Sequence, residues 1–496
     1  MSAAAPTAAN VVESDIPARL DRLPWSRWHW MVVLALGVTW ILDGIEVTIV
    51  GNVSATLQKP EALGLSAAQI GQVASAYVAG AVAGAIGFGY LTDRLGRKKL
   101  FLVTLGWYTI FTVLTGFSWS FWPLIAFRVL TGIGIGGEYA AINSAIDELI
   151  PARRRGRVDL GINASYWAGS AMASGLSLLL LDPRIVPIQW GWRVAFLIGA
   201  GLALAVMLVR TMVPESPRWL LTHGFSRPAE EMVRHIEHGV EKSLPGSGLP
   251  TPSGERVAID QRRSVGFFEI ARTMAVGYPR RTFVALMLMV GQAFLYNAVF
   301  FTMGITLQTF FKVGASLVPL YVIPFALGNL VGPLVLGRLF DSVGRRAMIS
   351  GTYVLSGLLL VGTGLLFVHG LLSAVTLTAC WIVVFFFGSA GASASYLTGS
   401  EIFPMETRAM AIGFIYAVGT AAGGIVGPML FGQLVQSGQP SQLLVGYLIG
   451  AGLMIFAGLI QAGLGVDAEQ RSLEDVAQPL TARDQPARWE AAIESP

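Results

Sequence analysis

Two carboxylates three residues apart, Asp43 and Glu46, interrupt the apolar run from Met31 to Val50. In hydrocarbon an ionised carboxylate costs at least about 2.5 to 3.5 kcal/mol unless it faces a cavity or a partner. The spacing sets both on one face of a helix, and two like charges out of water favour holding a proton. Reversible protonation is therefore the first chemistry this chain offers. The competing reading is a structural ion pair with Arg128, which stands in a later apolar run. The two can act together: Arg128 can pair with Asp43 or Glu46 only while that acid is ionised, so protonation would release it and loosen the contact between two helices. Glu138 lies ten residues beyond Arg128, and at about 100° per residue the two share no face closely. A structural and a coupling role are equally open to it.

A second set of side chains could hold a polar ligand: Asn143, Asn163 with Trp167, Gln292, Tyr296, Asn297, Asn329 and Tyr396. An amide in an apolar helix needs a hydrogen-bond partner, which a ligand or a neighbouring helix can supply. Other patterns carry no chemistry. Gly132-x-Gly134-x-x-Gly137 has the letters of a dinucleotide fingerprint but no strand before it, so helix packing is its reading. No Gly-x-x-x-x-Gly-Lys-Ser/Thr phosphate loop exists, His235 and His238 lack further zinc ligands, and no catalytic Ser/His/Asp or Cys/His set can be assembled. No cofactor and no metal are expected, and no soluble domain is large enough to build an enzyme site.

These residues need a membrane-embedded scaffold. Of 496 residues, 54% are hydrophobic and 13% charged, with a mean hydropathy of +0.62. Soluble domains carry about 25% charged residues, so a polytopic membrane protein is the expectation and a nucleic-acid binder is excluded. Cys380 is the single cysteine, which leaves no intramolecular disulfide. Twelve runs reach the roughly 20 residues a membrane helix requires. Spans 1 to 6 are read at 30–52, 68–91, 99–118, 121–147, 158–181 and 190–212, and spans 7 to 12 at 282–304, 315–339, 347–368, 372–398, 408–432 and 443–465. The domain reading is a polar tail over 1–28, bundles over 29–213 and 282–465, a linker over 214–281 and a second tail over 466–496. The first tail reads as mobile with an interfacial segment, and Trp25, Trp28 and Trp30 as an aromatic belt. Within the linker, helical patterns fall at 228–242 and 266–275.

Arg94, Arg97, Lys98 and Lys99 follow span 2, Arg153, Arg154, Arg155 and Arg157 follow span 4, and Arg345 and Arg346 follow span 8. The alternate loops hold little positive charge, so both termini and the linker are expected in the cytoplasm of an inner-membrane protein. The halves repeat. Gly89-Tyr-Leu-Thr-Asp93-Arg-Leu-Gly96-Arg97-Lys98 recurs 248 residues on, from Asp93 to Asp341, as Gly337-Arg-Leu-Phe-Asp341-Ser-Val-Gly344-Arg345-Arg346. Glu148-Leu-Ile-Pro151, followed by Arg155, recurs 253 residues on, from Glu148 to Glu401, as Glu401-Ile-Phe-Pro404, followed by Arg408. A parallel 6+6 repeat places a substrate near mid-membrane between the halves. The fold class expected is an all-α membrane protein of two pseudo-symmetric six-helix bundles.

On these residues the chain resembles the major facilitator superfamily across 30–465. The Gly-x-x-x-Asp-x-x-Gly-Arg-Lys/Arg loops are its signature, and Pro214-Glu-Ser-Pro-Arg-Trp-Leu220 and Gly399-Ser-Glu-Ile-Phe-Pro404 resemble the sugar-porter branch. Asp43-Gly-Ile-Glu46-Val and Gly136-Gly-Glu138-Tyr-Ala are similar to the synaptic-vesicle-glycoprotein-like and organic-ion branch. The resemblance implies alternating access, ligand contacts at Asn163, Gln292 and Asn297, and Arg128 as partner of a first-span acid. It implies gating by Gly89, Asp93, Gly96, Arg97, Glu148, Arg155, Asp341, Arg345, Glu401 and Arg408. Tyr396 stands where many sugar porters have Trp, Gly391-Ala stands where they have Gly-Pro, and Gly291 stands where they have Gln. These departures weaken the case for a hexose and leave a polar ligand. The expected function is proton symport of a small polar metabolite, sugar-like or organic acid, with the lipid bilayer as environment and no obligate protein partner. The rivals are a uniporter, an antiporter or efflux carrier of organic ions, and a transporter-like nutrient receptor.

Overall fold

A computed structural model describes residues 11–210, 214–243, 248–251, 256–260, 271–403, 408–469, 471 and 476–477. Twelve long helices are present among them. Spans 1 to 6 are Arg27–Leu57, Ala67–Leu95, Arg97–Gly116, Phe121–Leu149, Ala152–Leu180 and Ile188–Arg210. Spans 7 to 10 are Pro279–Phe311, Val318–Ser342, Arg345–Val368 and Ala374–Glu401. Span 11 runs as α-helix over Arg408–Gly419, as a π segment over Thr420–Ile425 and again as α-helix over Val426–Gln436, and span 12 is Pro440–Leu464. Among the described residues, ten of these helices are long and apolar enough to cross a membrane unaided. Spans 4 and 5 are the other two, and each packs against several neighbouring helices.

Span 5 shows why that is tolerated. It lies between span 1 of its own half and span 8 of the other, so its polar groups meet protein instead of lipid. Thr48 donates to Ser170 at 2.8 Å, Asn52 to Ser174 and Ser177 at 3.3 and 3.1 Å, and Ser165 to the Gly37 carbonyl at 2.9 Å. Backbones touch along this seam: a Cβ on Gly44 would fall 1.9 Å from the Tyr166 carbonyl oxygen, and one on Gly169 1.9 Å from that of Ile41. Spans 2 and 4 meet the same way, with Gly132 against Tyr77 O at 2.2 Å and Gly136 against Ala81 O at 1.9 Å. The glycine pattern on span 4 is therefore a packing surface, as small residues at membrane helix interfaces generally are. The halves join through spans 5 and 8 and through spans 2 and 11.

The N-terminal region departs from the expected mobile tail. Strand β1, Val11–Ser14, pairs antiparallel with β2, Val257–Asp260, Val11 facing Asp260. A short helix follows at Ile16–Asp21 and packs with the linker helix Ser226–Ser243. Ile16, Leu20 and Leu23 share one core with Ala229, Val233, Ile236 and Val240 of that helix and with Ile142 and Ile146 of span 4. The 228–242 pattern is thus the amphipathic linker helix, while the first half of the 266–275 pattern, 266–270, lies outside the described residues. The tryptophans divide: Trp30 is exposed, Trp28 is buried and Trp25 stacks on His29 at 5.0 Å, so only Trp30 stands in belt fashion.

Arg19 fastens the arm. Its guanidinium donates to Glu230 at 2.8 Å and to Glu237 at 2.6 Å, and Arg22 donates to Glu237 at 2.6 Å. Burial works to raise both carboxyls, but the bonds from Arg19, with those of Arg22 and Arg234, outweigh it and hold them below the ordinary carboxylate value. A depressed folded-state value stabilises above the unfolded value and is lost as pH falls through it. Protection of the Val11–Ser14 amides, the slowing of exchange relative to the unfolded chain at the same pH, should therefore fall below about pH 4.5, the unperturbed value of these carboxyls. Arg19→Ala should bring roughly tenfold faster exchange there already at pH 7, the loss expected of a charge-assisted clamp worth at least ~1.5 kcal/mol.

Candidate functional site

Glu46 and Arg128 form an ion pair at 2.5 Å, and both side chains are fully enclosed. Span 3 adds the Tyr108 hydroxyl, which donates to Glu46 Oε2 at 3.3 Å. The guanidinium carbon lies 4.3 Å from the Tyr77 ring centre on span 2 and 5.7 Å from that of Phe196 on span 6. Span 6 also passes close by at Gly199, where a Cβ would make an ordinary contact 3.6 Å from Glu46 Oε2. Asp43, one turn before Glu46, is 1% exposed and within electrostatic reach of Tyr77, Tyr108, Tyr166 and Tyr416. Glu138 is likewise buried on span 4.

Beside this cluster a cavity of about 160 Å³ lies between the halves. The first half contributes Trp40, Tyr77, Ile135, Asn163, Tyr166 and Trp167, and the second Gln292, Tyr296, Asn297, Phe300, Phe301, Ser389, Ser393, Tyr396, Tyr416 and Thr420, with small apolar residues between them. Among the described residues no Asp, Glu, Lys or Arg lines the wall. The polar groups are held in place by the helices that carry them. Asn163 donates to the Asp159 carbonyl at 3.0 Å, Asn297 to that of Ala293 at 2.7 Å, and the Gln292 amide reaches the Tyr396 hydroxyl at 3.4 Å. Trp167 crosses the seam, with its ring 5.6 Å from Tyr296, 5.5 Å from Phe300 and 5.7 Å from Phe325.

Of the eight ligand candidates, Asn163, Trp167, Gln292, Tyr296, Asn297 and Tyr396 line this cavity. Asn329 stands behind the wall instead: fully buried, it accepts from the Tyr296 hydroxyl at 2.9 Å and so aims that side chain. The Asn143 side chain lies outside the described residues. The sequence reading missed Trp40, Tyr77, Tyr166, Phe300, Ser389, Ser393, Tyr416 and Thr420. A helical spacing was there to find: Asn163 with Tyr166 and Trp167, Gln292 with Tyr296, Ser389 with Ser393 and Tyr396, and Tyr416 with Thr420 each share a face.

The repeated loops lie at one end of the bundles. In the second copy Arg345 is buried and bonds Glu401 at 2.6 Å and the Ala468 carbonyl at 2.6 Å, while Asp341 accepts from the Arg157 backbone N–H of the first half at 3.1 Å. Gly96 and Gly344 begin spans 3 and 9 with φ of 89° and 111°, a conformation that suits glycine. Each is followed by a capping carboxylate, Glu215 accepting from Lys98 N–H at 3.1 Å and Glu469 from Arg345 N–H at 3.5 Å. The two carboxylates follow spans 6 and 12, an equivalence not read from sequence. Gly89 is buried, and a Cβ there would meet nothing within 4 Å. The side chains of Asp93, Arg97, Glu148, Arg155 and Arg408 lie outside the described residues.

A profile for the family described as sugar (and other) transporter matches residues 30–479. The chain belongs to that family. The transporter is 28% identical over 418 residues to the niacin transporter NiaP of Acinetobacter baylyi, covering 84% of this chain and 89% of that protein. It is 25% identical over 468 residues to the gallate transporter of Pseudomonas putida, covering 94% and 98%. Its fold matches the proton:xylose symporter XylE bound to 6-bromo-6-deoxy-D-glucose with a TM-score of 0.72 and 18% identity, over 91% of this chain and 98% of that one. The two-bundle major facilitator fold expected from the repeats is therefore the fold of this transporter, which is a multi-pass membrane protein and not an enzyme.

The contact of Asp341 with Arg157 ties the halves together at the loop end. Close by, Leu160 is fully buried against Gly337. In a Cys380→Ser background, Asp341→Ala should speed maleimide labelling of Leu160→Cys roughly fivefold, the effect of losing a contact worth ~1 kcal/mol.

Proposed function

We propose that this transporter moves a small planar aromatic acid together with a proton by alternating access between its halves. The observation that carries the reading is the cavity wall: tryptophan, tyrosine and phenylalanine rings from both halves, a few amides and hydroxyls, and no fixed charge among the described residues. Flat rings favour a flat ligand through offset or edge-on stacking, and hydroxyl and amide groups suit its polar substituents. Niacin and gallate, named for two relatives, both join an aromatic ring to a carboxyl group. An anion placed in such a wall is best balanced by a proton taken up elsewhere in the same half.

Glu46 is the group assigned that proton. Ionised, it pairs with Arg128; protonated, it releases the guanidinium and weakens the link among spans 1, 3 and 4. Asp43 is the neighbour across which the charge is shared, and Glu138 belongs to the same buried set. Ligand contacts from Asn163, Trp167, Gln292, Tyr296, Asn297 and Tyr396 supply the differential binding that closes the halves, since equal affinity for two states shifts neither. The loop-end residues Asp341, Arg345 and Glu401, with their counterparts in the first half, form the gate on the cytoplasmic side, where positive charge places the loops, the linker and both termini. The cell's inner membrane is the assigned site of action.

The test uses proteoliposomes with a pH dye inside, to which niacin, gallate or xylose is added outside. One or both aromatic acids should acidify the lumen beyond the drift in protein-free vesicles, and xylose should not. Glu46→Gln should lower the rate about tenfold or more, the scale of losing a buried charge partner. Exchange of labelled niacin or gallate with no proton movement would overturn symport, and xylose uptake without either acid would overturn the aromatic substrate.

A further inference from the structure

The cavity and the ion pair are separate compartments, for neither Glu46 nor Arg128 lines the cavity wall. One side chain belongs to both. Tyr77 lines the cavity, and its ring centre is 4.3 Å from the guanidinium carbon of Arg128. The residue is 5% exposed, and its phenol oxygen has no hydrogen-bond partner among the described residues. A buried hydroxyl left without a partner is costly and calls for an explanation. At the cavity wall, a ligand oxygen provides one.

Arg128 stands in a matching position. One terminal nitrogen bonds Glu46, while Nε and the other terminal nitrogen have no hydrogen-bond partner among the described residues. A guanidinium over an aromatic face is held by the negative potential of the ring, more strongly when both are out of water. That support stays in place when Glu46 takes a proton. The other groups gathered here are Glu46 and Asp43 on span 1, Tyr108 on span 3 and Phe196 on span 6, and none of them lines the cavity. Tyr166 on span 5 and Tyr416 on span 11 do line it and lie within reach of Asp43.

We propose that Tyr77 couples the two compartments: its hydroxyl donates to an acceptor oxygen of the bound acid, and its ring carries Arg128 while Glu46 is protonated. The proposal rests on the proton-coupled reading above and adds the positioning residue through which it acts. A phenol that donates to a carboxylate oxygen gains electron density in its ring, which deepens the negative face presented to the guanidinium. Ligand binding then favours the state in which Arg128 leans on Tyr77 and Glu46 holds its proton. By linkage, protonation raises ligand affinity by the same factor. The phenol keeps its own proton throughout, and the only bond made or broken is the O–H of Glu46.

Tyr77→Phe removes the hydroxyl and keeps the ring, and Tyr77→Leu removes both. Binding of niacin and of gallate to the purified full-length protein is followed by tryptophan fluorescence at pH 6 and pH 8. Wild type should bind about tenfold more tightly at pH 6. Tyr77→Phe should bind about tenfold more weakly at both pH values and keep part of the pH ratio, while Tyr77→Leu should show a ratio near one. Equal pH ratios in wild type and Tyr77→Leu overturn the proposal, and so does unchanged affinity in Tyr77→Phe. A ligand-free measurement separates it from the reading beneath it. The infrared band of a protonated carboxyl that Glu46→Gln abolishes is titrated in wild type and in Tyr77→Leu, whose proton affinity should be about tenfold lower, a displacement of one pH unit. An undisplaced midpoint overturns the role of the ring even if both acids bind. A displaced midpoint with neither acid bound supports that role and rejects the aromatic substrate.

Discussion

A full charge inside a membrane must be answered by another charge or by an enclosing polar wall, and much of the first bundle is arranged to answer two. Glu46 and Arg128 are each fully enclosed. Removing one member of such a buried pair typically costs about 3 to 5 kcal/mol, because the survivor is left uncompensated. Spans 2, 3 and 6 therefore supply the Tyr77 ring, the Tyr108 hydroxyl and the Phe196 ring at defined distances. The glycine seam between spans 2 and 4 is what brings the Tyr77 ring so close. With Gly132 against the Tyr77 carbonyl, the two backbones approach enough for Arg128 to lie over the Tyr77 ring one turn earlier on span 4.

The same economy explains the composition of span 5. A helix facing lipid must be apolar, but one wedged between spans 1 and 8 can carry serines and an asparagine, because its neighbours satisfy them. Trp167 on that helix is counted in the core of the second bundle, along with Leu160. The seam between the halves is thus a shared core on one flank and a ligand-sized cavity beside it. Span 11 faces it with a π segment over Thr420–Ile425, and glycines there let the helix depart from regular geometry.

Legibility in the sequence followed the strength of the physical penalty. Acids in an apolar run and a ten-residue loop motif repeated in the second half are hard to produce without a reason, so the bundles, the repeat and Glu46 with Arg128 stood out. Tyr77, Tyr166, Tyr416 and Phe300 did not. An aromatic residue on an apolar helix is equally at home against lipid, in a core or on a cavity wall, and only the register of the opposite half decides which. Asn329 illustrates the reverse case, a polar residue whose partner is the neighbouring side chain Tyr296. The capping carboxylates Glu215 and Glu469 were hidden because their partners are backbone N–H groups, which leave no trace in residue type. Span 7 ran to Phe311, well past its expected end at 304, since a helix can continue beyond the hydrocarbon wherever nothing interrupts it.

The ribbon of β1 and β2 bears on how the chain is made. The first strand leaves the ribosome well before its partner, which is not synthesised until the sixth span is complete. During that interval the arm has neither its strand nor the helix bearing Glu230 and Glu237, and its apolar residues Ile16 and Leu20 lack the part of their core that this helix supplies. Segments of this kind are where chaperones act and where folding goes astray. Closing the ribbon therefore completes the fastening of the arm after the six spans of the first bundle have been made, and a chain truncated before residue 226 would lack both the strand and the helix that hold it.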